Sequence, residues 1–497
     1  MNAAALSEAE SASPSRTPAE QTWTFVAACG LAAVYLVVSV LIARHRLFWY
    51  DEVLTVIYSR QPSMAALWRA LARGVDGMPP ANDLAVRLFA HLPLALEVAA
   101  RLPSALAMAA GLLVTFDCAR RLTDGVHGLV AVAFLTCSTL PYYGYEARPY
   151  ALFFLLSAVA LWLWMNTGDG IAPALVFGGV FLVSVWVHFY TVLCLAPYTL
   201  WEFLHRATRP SPSRKLIAAY VGSLFGLALL WKEVVTLYEV MANGFWSPPT
   251  VRGLALTFSD LFPHILFPLV GILGLAALWS GKETTSPLEP MQPFEQLCWF
   301  FALLPLLGFV VGLVATHAYL SRYFIALLPA FAIGFACLMW RHAPSSPRVA
   351  LAAVVLFASF GLGDELEHLR NPSSVLPATG EAARMTRMLA LEDEIPAGRF
   401  IVLRPGDLLT LEAHYYARHP ERLVLLLGPH ETEPEPQAPL STGENRPIHY
   451  WTREELRAHA SEATLIDPAP ETVEELHRAG HKTSERYDGV LDVVTAD

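Results

Sequence analysis

Charged side chains are scarce, at 16% of 497 residues against 55% hydrophobic ones. Soluble domains carry about 25% charged residues, so the composition argues against a soluble chain and for one embedded in lipid. The positive mean hydropathy of +0.42 agrees. Cysteine is also sparse. The six, Cys29, Cys118, Cys137, Cys194, Cys298 and Cys337, sit in apolar segments without CxxC spacing, so neither a disulfide framework nor a zinc site is expected among them. Basic tracts are missing, the formal charge is −10, and more than half of the acidic residues lie from Asp364 onward. Nucleic acid is therefore excluded as a partner. There is no P-loop, no GxGxxG after a strand and no HExxH, so ATP-driven, dinucleotide and common metalloprotease readings have no support. No internal repeat has a clear period.

Long apolar runs, by contrast, are abundant. The polar start, Met1 to Gln21, lacks the basic character of a secretory signal. The run Trp23 to Ile42 after it matches the ~20 residues that a bilayer core requires, and reads as a retained first span. Ten further runs follow: Pro103 to Ala119, Val126 to Leu140, Tyr150 to Met165, Ile171 to Val187, Thr191 to Leu204, Leu216 to Trp231, Leu261 to Trp279, Leu297 to Thr316, Tyr323 to Trp340 and Val349 to Leu362. The expectation is an α-helical polytopic membrane protein with about eleven spans. Several runs are nearer ~16 residues, which leaves room for one or two re-entrant segments.

Orientation follows from Lys and Arg in short loops. Arg120 and Arg121, then Arg206, Arg209, Arg214 and Lys215, then Lys282, then Arg341 and Arg348 fall on one side of an eleven-span chain. That side is assigned to the cytoplasm. The long first loop, 44–102, is then outside despite its arginines. Within it Met64, Leu67, Trp68 and Leu71 form an i, i+3, i+4, i+7 stripe, read as a helix lying in the membrane interface. A second such helix is expected from Asn82 to Leu92, entered through Pro79 and Pro80 and capped by Asn82 or Asp83.

After Leu362 the chain turns polar, enough for one small α/β domain over 364–497. Phe400 to Leu403 and Leu423 to Leu427 read as strands; Ala382 to Leu391, Leu408 to Tyr416 and Glu471 to Ala479 read as helices; Pro434 to Pro447 reads as a loop. The expected division is a cytoplasmic tail, 1–21, a membrane domain, 22–363, and this extracytoplasmic domain, in a multi-pass protein of the inner (cytoplasmic) membrane.

Chemistry-bearing residues gather at predicted outer ends. Asp51 and Glu52 are adjacent carboxylates just after the first span, costly near a membrane unless solvated, paired or used; a solvated helix start with Asp51 near its N-cap is the structural alternative. Tyr142 to Tyr150 packs Glu146, Arg148 and four tyrosines into one short loop, and an interfacial aromatic belt closed by a Glu-Arg pair competes with a functional reading there. His188 and Tyr190, Lys232 and Glu233, His317, and Arg322 with Tyr323 stand at other outer ends. Converging on one cavity, these would supply a carboxylate to accept a proton and cations to hold an anion.

In its ordered motifs the chain resembles the polytopic glycosyltransferases of the C-type (GT-C) fold that use lipid-phosphate sugars, such as protein mannosyltransferases and lipid A aminoarabinose transferases. The motifs are Tyr50-Asp51-Glu52, Arg101-Leu102-Pro103-Ser104-Ala105-Leu106 and Glu146-Ala147-Arg148-Pro149-Tyr150, with weaker matches at Val187-His188-Phe189-Tyr190, Phe245-Trp246-Ser247-Pro248-Pro249 and Ser321-Arg322-Tyr323-Phe324. The resemblance implies transfer of a sugar from a polyprenyl-phosphate donor to a glycan, lipid or protein acceptor outside the membrane, with inversion and with Asp51, beside Glu52, as general base. Glu146, Arg148, Tyr150, His188, Tyr190, Arg322 and Tyr323 are then the substrate-binding residues. Similar proteins often have His or Lys before the Pro-Pro of the first loop where this chain has Met78, so no metal or phosphate contact is expected from that position; no cofactor is assigned, and a divalent metal stays possible. The competing reading is a transporter or flippase of lipid-linked saccharides, which would bury its charges mid-span and show a repeat. A third reading places the activity in the C-terminal module, whose Glu392, Asp393 and Glu394 read as a solvated face.

Overall fold

The computed structural model describes residues 18–72, 76–207, 211–242, 247–279, 291–342, 347–371, 392–403, 409–427, 449–466, 468–487 and 490–495. Lys282, Phe245, Trp246, the helix expected from Ala382 to Leu391 and the loop from Pro434 to Pro447 lie outside these. Contacts divide the chain into two units, one of 1–45 with 77–372, the other of 46–76 with 373–497.

The first unit is a helical bundle. Each of the eleven apolar runs falls on a helix, because in hydrocarbon a backbone must satisfy its own N–H and C=O groups. Five helices are long and apolar enough to cross a membrane: 20–45, 96–122, 293–316, 321–342 and 348–370. Two bent pairs bring the number to seven, and four shorter apolar helices, Gly125–Thr136, Tyr150–Asn166, Ile171–Val187 and Phe189–Leu204, complete the bundle. One bend, of 63°, interrupts the run Leu261 to Trp279 between helices Val251–Leu261 and Leu266–Ala277; Pro263 lies in that break, where it can offer no backbone donor. The other, of 75°, follows Arg214–Leu229. Large apolar side chains such as Phe25, Val37, Leu175, Val221, Leu224 and Val314 are exposed around the bundle, as a lipid-facing surface requires. Helix Leu96–Leu122 packs on Pro18–His45, Gly125–Thr136 and Tyr150–Asn166. Helices Ile171–Val187 and Arg214–Leu229 approach closely where Gly178 meets Ala218 and Gly222, since side chains there would collide with the facing backbone.

Among the described residues, the basic Arg120, Arg121, Lys215 and Arg341 cluster at one end of the bundle. Asp117 pairs with Arg120 and Arg121 and accepts from Trp162 Nε1. Lys215 Nζ donates to the carbonyls of Leu163, Trp164 and Thr167, neutralising a helix C-terminus. Trp164 packs on Trp201, which donates to Pro293 O, and nearby Glu295 binds Arg341 at 2.8 Å. Tyr150, His188 and Ser321 are at the other ends of these helices.

Both first-loop helices are present, the second with corrected bounds and cap. Met64–Leu71 is capped by Ser63 Oγ. The second runs Ala81–Phe89 with Pro80 at its N-cap and no side-chain cap; Asn82 is buried instead and donates to Ala147 O at 3.1 Å.

In the second unit a six-stranded sheet has the order β3-β2-β1-β4-β6-β5, with β1 (Phe400–Leu403), β2 (Leu423–Leu426), β3 (His449–Trp451) and β4 (Ala463–Ile466) parallel and β5 (His481–Tyr487) and β6 (Val490–Thr495) antiparallel. Alternate residues of β1 enter opposite layers: Ile401 and Leu403 pack with Ala413 and Ala417, Val402 with Leu456 and Leu476. That alternation is the strand's period of two, and helices therefore cover both faces. The helices Leu409–Tyr416 and Pro470–Arg478 match expectation to within one residue. Strands β3 to β6 were not anticipated. β3 is three residues long, and β5 is the polar edge sequence HKTSERY, a composition that protects an edge from pairing. Asp393 and Glu394 are exposed, as a solvated face requires, and Asp393 pairs with Arg418, but Glu392 is buried, because it accepts from the Arg418 and His419 amides.

Candidate functional site

Six of the seven predicted binding residues converge in the first unit around His188. The ring lies in the turn after Ile171–Val187, 2% exposed. It stacks on Phe153 with centroids 4.9 Å apart, and meets Tyr323 at 5.1 Å, Tyr190 at 5.7 Å and Tyr150 at 5.9 Å. Its Nδ1 accepts the Tyr190 amide at 3.2 Å, which fixes the neutral tautomer with the proton on Nε2. Nε2 has no hydrogen-bond partner among the described residues. Burial disfavours a charge on the ring, and the Arg148 and Arg322 guanidinium groups act in the same direction, which keeps it neutral.

Arg148 is 3% exposed and Arg322 half-buried. The Arg322 guanidinium sits 5.6 Å over the Tyr150 ring, and Tyr150 packs on Tyr143 at 4.7 Å. Tyr190 meets Tyr323 at 5.0 Å and donates its hydroxyl to Ala318 O. The result is an aromatic-walled site with two permanent cations and an imidazole N–H, an arrangement suited to the oxygens of a phosphate.

The loop carrying Arg148 is anchored by residues that sequence reasoning read otherwise or missed. Asn82 holds Ala147 O, and Ser104 Oγ donates to Arg148 O at 3.1 Å. Glu146, fully buried, immediately precedes these anchored positions. Arg101, in the same motif as Ser104, donates from Nη1 to Ala43 O at 3.0 Å, closing the C-terminal end of the first helix. The weaker Ser247-Pro248-Pro249 motif is tied to Tyr319 by two hydrogen bonds. His317 has φ 51° and ends a π-helical turn, Gly312–Thr316, so its place is set by chain reversal. Lys232 is exposed on the bent helix and does not join the cluster.

Asp51 and Glu52 belong to the second unit and differ there. Helix Tyr50–Ser59 has Trp49 as N-cap, and Glu52 folds back to accept the Trp49 amide at 3.3 Å, the acidic half of a capping box. Glu52 is fully buried while Asp51 is half-buried. Phe48, just before, meets Tyr415 edge-on, and its amide donates to Tyr416 Oη at 2.7 Å.

The second unit also holds a crevice of about 770 Å³ at the carboxyl ends of β1, β2 and β4. The connection from β1 to β2 runs to one side of β1 and that from β3 to β4 reaches the other side, the switch point at which open α/β sheets take ligands. Glu475 bridges Arg453 and Arg457 across its wall, at 2.7 and 2.8 Å.

No family model and no curated protein sequence matches the chain. Among solved structures, ArnT from Cupriavidus metallidurans in the apo state aligns with a TM-score of 0.58 at 14% identity, over 93% of this chain and 96% of that one. The same enzyme bound to undecaprenyl phosphate aligns with a TM-score of 0.57 at 14% identity, over 93% and 97%. An oligosaccharyltransferase from Archaeoglobus fulgidus aligns less well, with a TM-score of 0.41 at 10% identity, over 80% and 64%. With ArnT matched over nearly its whole length, this chain has the C-type fold of the polytopic membrane glycosyltransferases.

Proposed function

We propose that the protein transfers a sugar from a polyprenyl-phosphate carrier to an acceptor hydroxyl on the outer face of the cytoplasmic membrane, inverting the anomeric carbon. The observation that carries this reading is the group of Arg148, Arg322 and the His188 Nε2–H at the bundle end opposite the basic loops. In the donor the phosphodiester carries one negative charge; as the bond to the sugar breaks, the lipid phosphate leaves with two. Two arginines and a neutral imidazole donor favour the leaving state over the bound donor, which is the condition for catalysis rather than tight binding. The ArnT structure bound to undecaprenyl phosphate supports a carrier of this class.

The acceptor side needs a base, since a hydroxyl attacks poorly until its proton is taken. Asp51 is our choice. Glu52 is occupied at the helix start, whereas Asp51 is half-buried one residue earlier. In the proposed step the acceptor oxygen bonds to the anomeric carbon, its proton passes to Asp51, and the electrons of the breaking bond go to the lipid phosphate. The chain supplies every group this step uses, so a divalent ion is optional in it. Purified protein incubated with a panel of polyprenyl-phosphate sugars should consume one carrier and release free polyprenyl phosphate, read by mass spectrometry. Consumption of none, with an acceptor extract present, would count against the assignment.

A further inference from the structure

We infer that the last long helix carries a transition-metal site, formed by Asp364, Glu365 and His368 with His264 as fourth donor. Asp364 and His368 are one turn apart on helix Pro347–Arg370 and so share a face. Donor atoms of Asp364, Glu365 and His368 all lie within 4.8 Å of one another. His264, from the break before helix Leu266–Trp279, brings Nε2 to 3.4 Å from Asp364 Oδ2, and His368 Nδ1 is 4.0 Å from the same oxygen. Bonds of about 2.0–2.2 Å in a tetrahedron put neighbouring donors roughly 3.4 Å apart. The first spacing already has that value, and the second needs to close by well under 1 Å.

Glu365 is the observation that separates this group from ordinary helix-end acids. It is 2% exposed, and no described residue gives it a hydrogen bond or an ion pair. The charge that acts on it is another carboxylate, Asp364. A buried acid without a partner, next to a like charge, is costly, and a divalent cation removes both penalties at once. Asp364, His368 and His264 are partly exposed, at 31%, 20% and 42% of their side chains, which leaves the ion a path of entry.

Two imidazoles and two carboxylates suit zinc and similar first-row ions, whereas magnesium and calcium prefer oxygen alone. Without the ion the Tyr145 hydroxyl lies 3.0 Å from His368 Nδ1, the nitrogen that the ion would take over. Tyr145 begins the loop that carries Glu146, Arg148 and Tyr150. The ion would therefore fasten the last long helix to the break at His264, beside the loop of the candidate site. None of this depends on sugar transfer.

The test uses full-length protein in detergent, stripped with a chelator and titrated with Zn²⁺ and Co²⁺. The expected result is one Zn²⁺ per chain by elemental analysis, Co²⁺ absorption bands of four-coordinate character, and a rise in melting temperature with Zn²⁺. Glu365→Gln and His264→Ala should each weaken binding at least about tenfold, and His264→Ala, at an exposed ring that tolerates truncation, should also shift the Co²⁺ bands. Failure of the stripped protein to bind at micromolar Zn²⁺ would overturn the site, as would both variants binding like the parent. Binding is read without any donor or acceptor, so a silent transferase assay leaves the inference standing and an active one does not rescue it.

Discussion

Replacing Arg148 tests the phosphate assignment most directly. Its side chain is 3% exposed, so little solvent screens it, and it acts on His188 together with Arg322. At ~4 Å and an effective dielectric of ~20, each unit charge gained by the leaving phosphate is worth up to about 4 kcal/mol with one guanidinium. Removing one preorganised donor of this kind typically costs about 10²–10³ in kcat, or about 2.7–4 kcal/mol. Arg148→Ala should lose turnover in that range. The loss should sit mainly in kcat, because the charge grows only as the carrier leaves, with a smaller rise in KM for the donor. Arg148→Lys should recover little, since an ammonium cannot hold two phosphate oxygens side by side. Arg322→Ala, at a less buried residue, should give a loss of the same kind, and the double variant should lose less than the product of the two if both arginines serve one phosphate. The assay is single-turnover release of polyprenyl phosphate by protein that retains the parent's elution profile and melting temperature. Normal kcat in Arg148→Lys, or additive losses in the double variant, would refute the shared-phosphate argument and reduce the Glu146 to Tyr150 loop to a structural closure.

Asp51→Asn should lower turnover by ~10²–10⁴-fold without a matching change in donor affinity, whereas Glu52→Gln should act mainly on stability, by about 1 kcal/mol for a weakened helix cap; the reverse pattern moves the base to Glu52. Ser461→Cys, at an exposed position of the second unit, should react with an impermeant thiol reagent in intact cells, and labelling only after lysis would invert the proposed orientation. Glu475 is raised by burial, but the hydrogen bond and charge of Arg453, joined by Arg457, hold its carboxyl below the usual range. A depressed folded value stabilises above the unfolded pKa of about 4.3 and is lost as pH falls through the folded value. The melting difference between the parent and Glu475→Gln should accordingly be full at pH 7 and shrink at pH below about 4; a difference that persists unchanged at low pH contradicts the ion-pair argument.

Much of the membrane unit was legible in the chain itself. Runs such as Ile171 to Val187 had to be helical, because lipid offers a backbone no other partner, and the observed helix has the same bounds. Strands β1 and β2 were readable for a related reason: parallel strands covered on both faces need unbroken apolar runs. β5 was not, since an edge strand is stabilised by its neighbour β6 rather than by its own apolar residues. Asn82 reads locally as a helix cap, and only the approach of Ala147, 65 positions away, makes it an anchor for the Arg148 loop. Glu52 and Asp51 are indistinguishable as letters; the fold of Trp49 assigns one of them to the helix start.

Local composition and period determined which segments enter lipid and which residues stand at their ends. What tertiary structure decided was which of those ends meet. His188, Arg148, Tyr150, Tyr190, Arg322 and Tyr323 come from separate stretches of chain, and Glu365 is one acid among many until packing buries it beside Asp364, His368 and His264. Such meetings depend on contacts between distant residues, and hydrophobic periodicity, being local, carries no record of them.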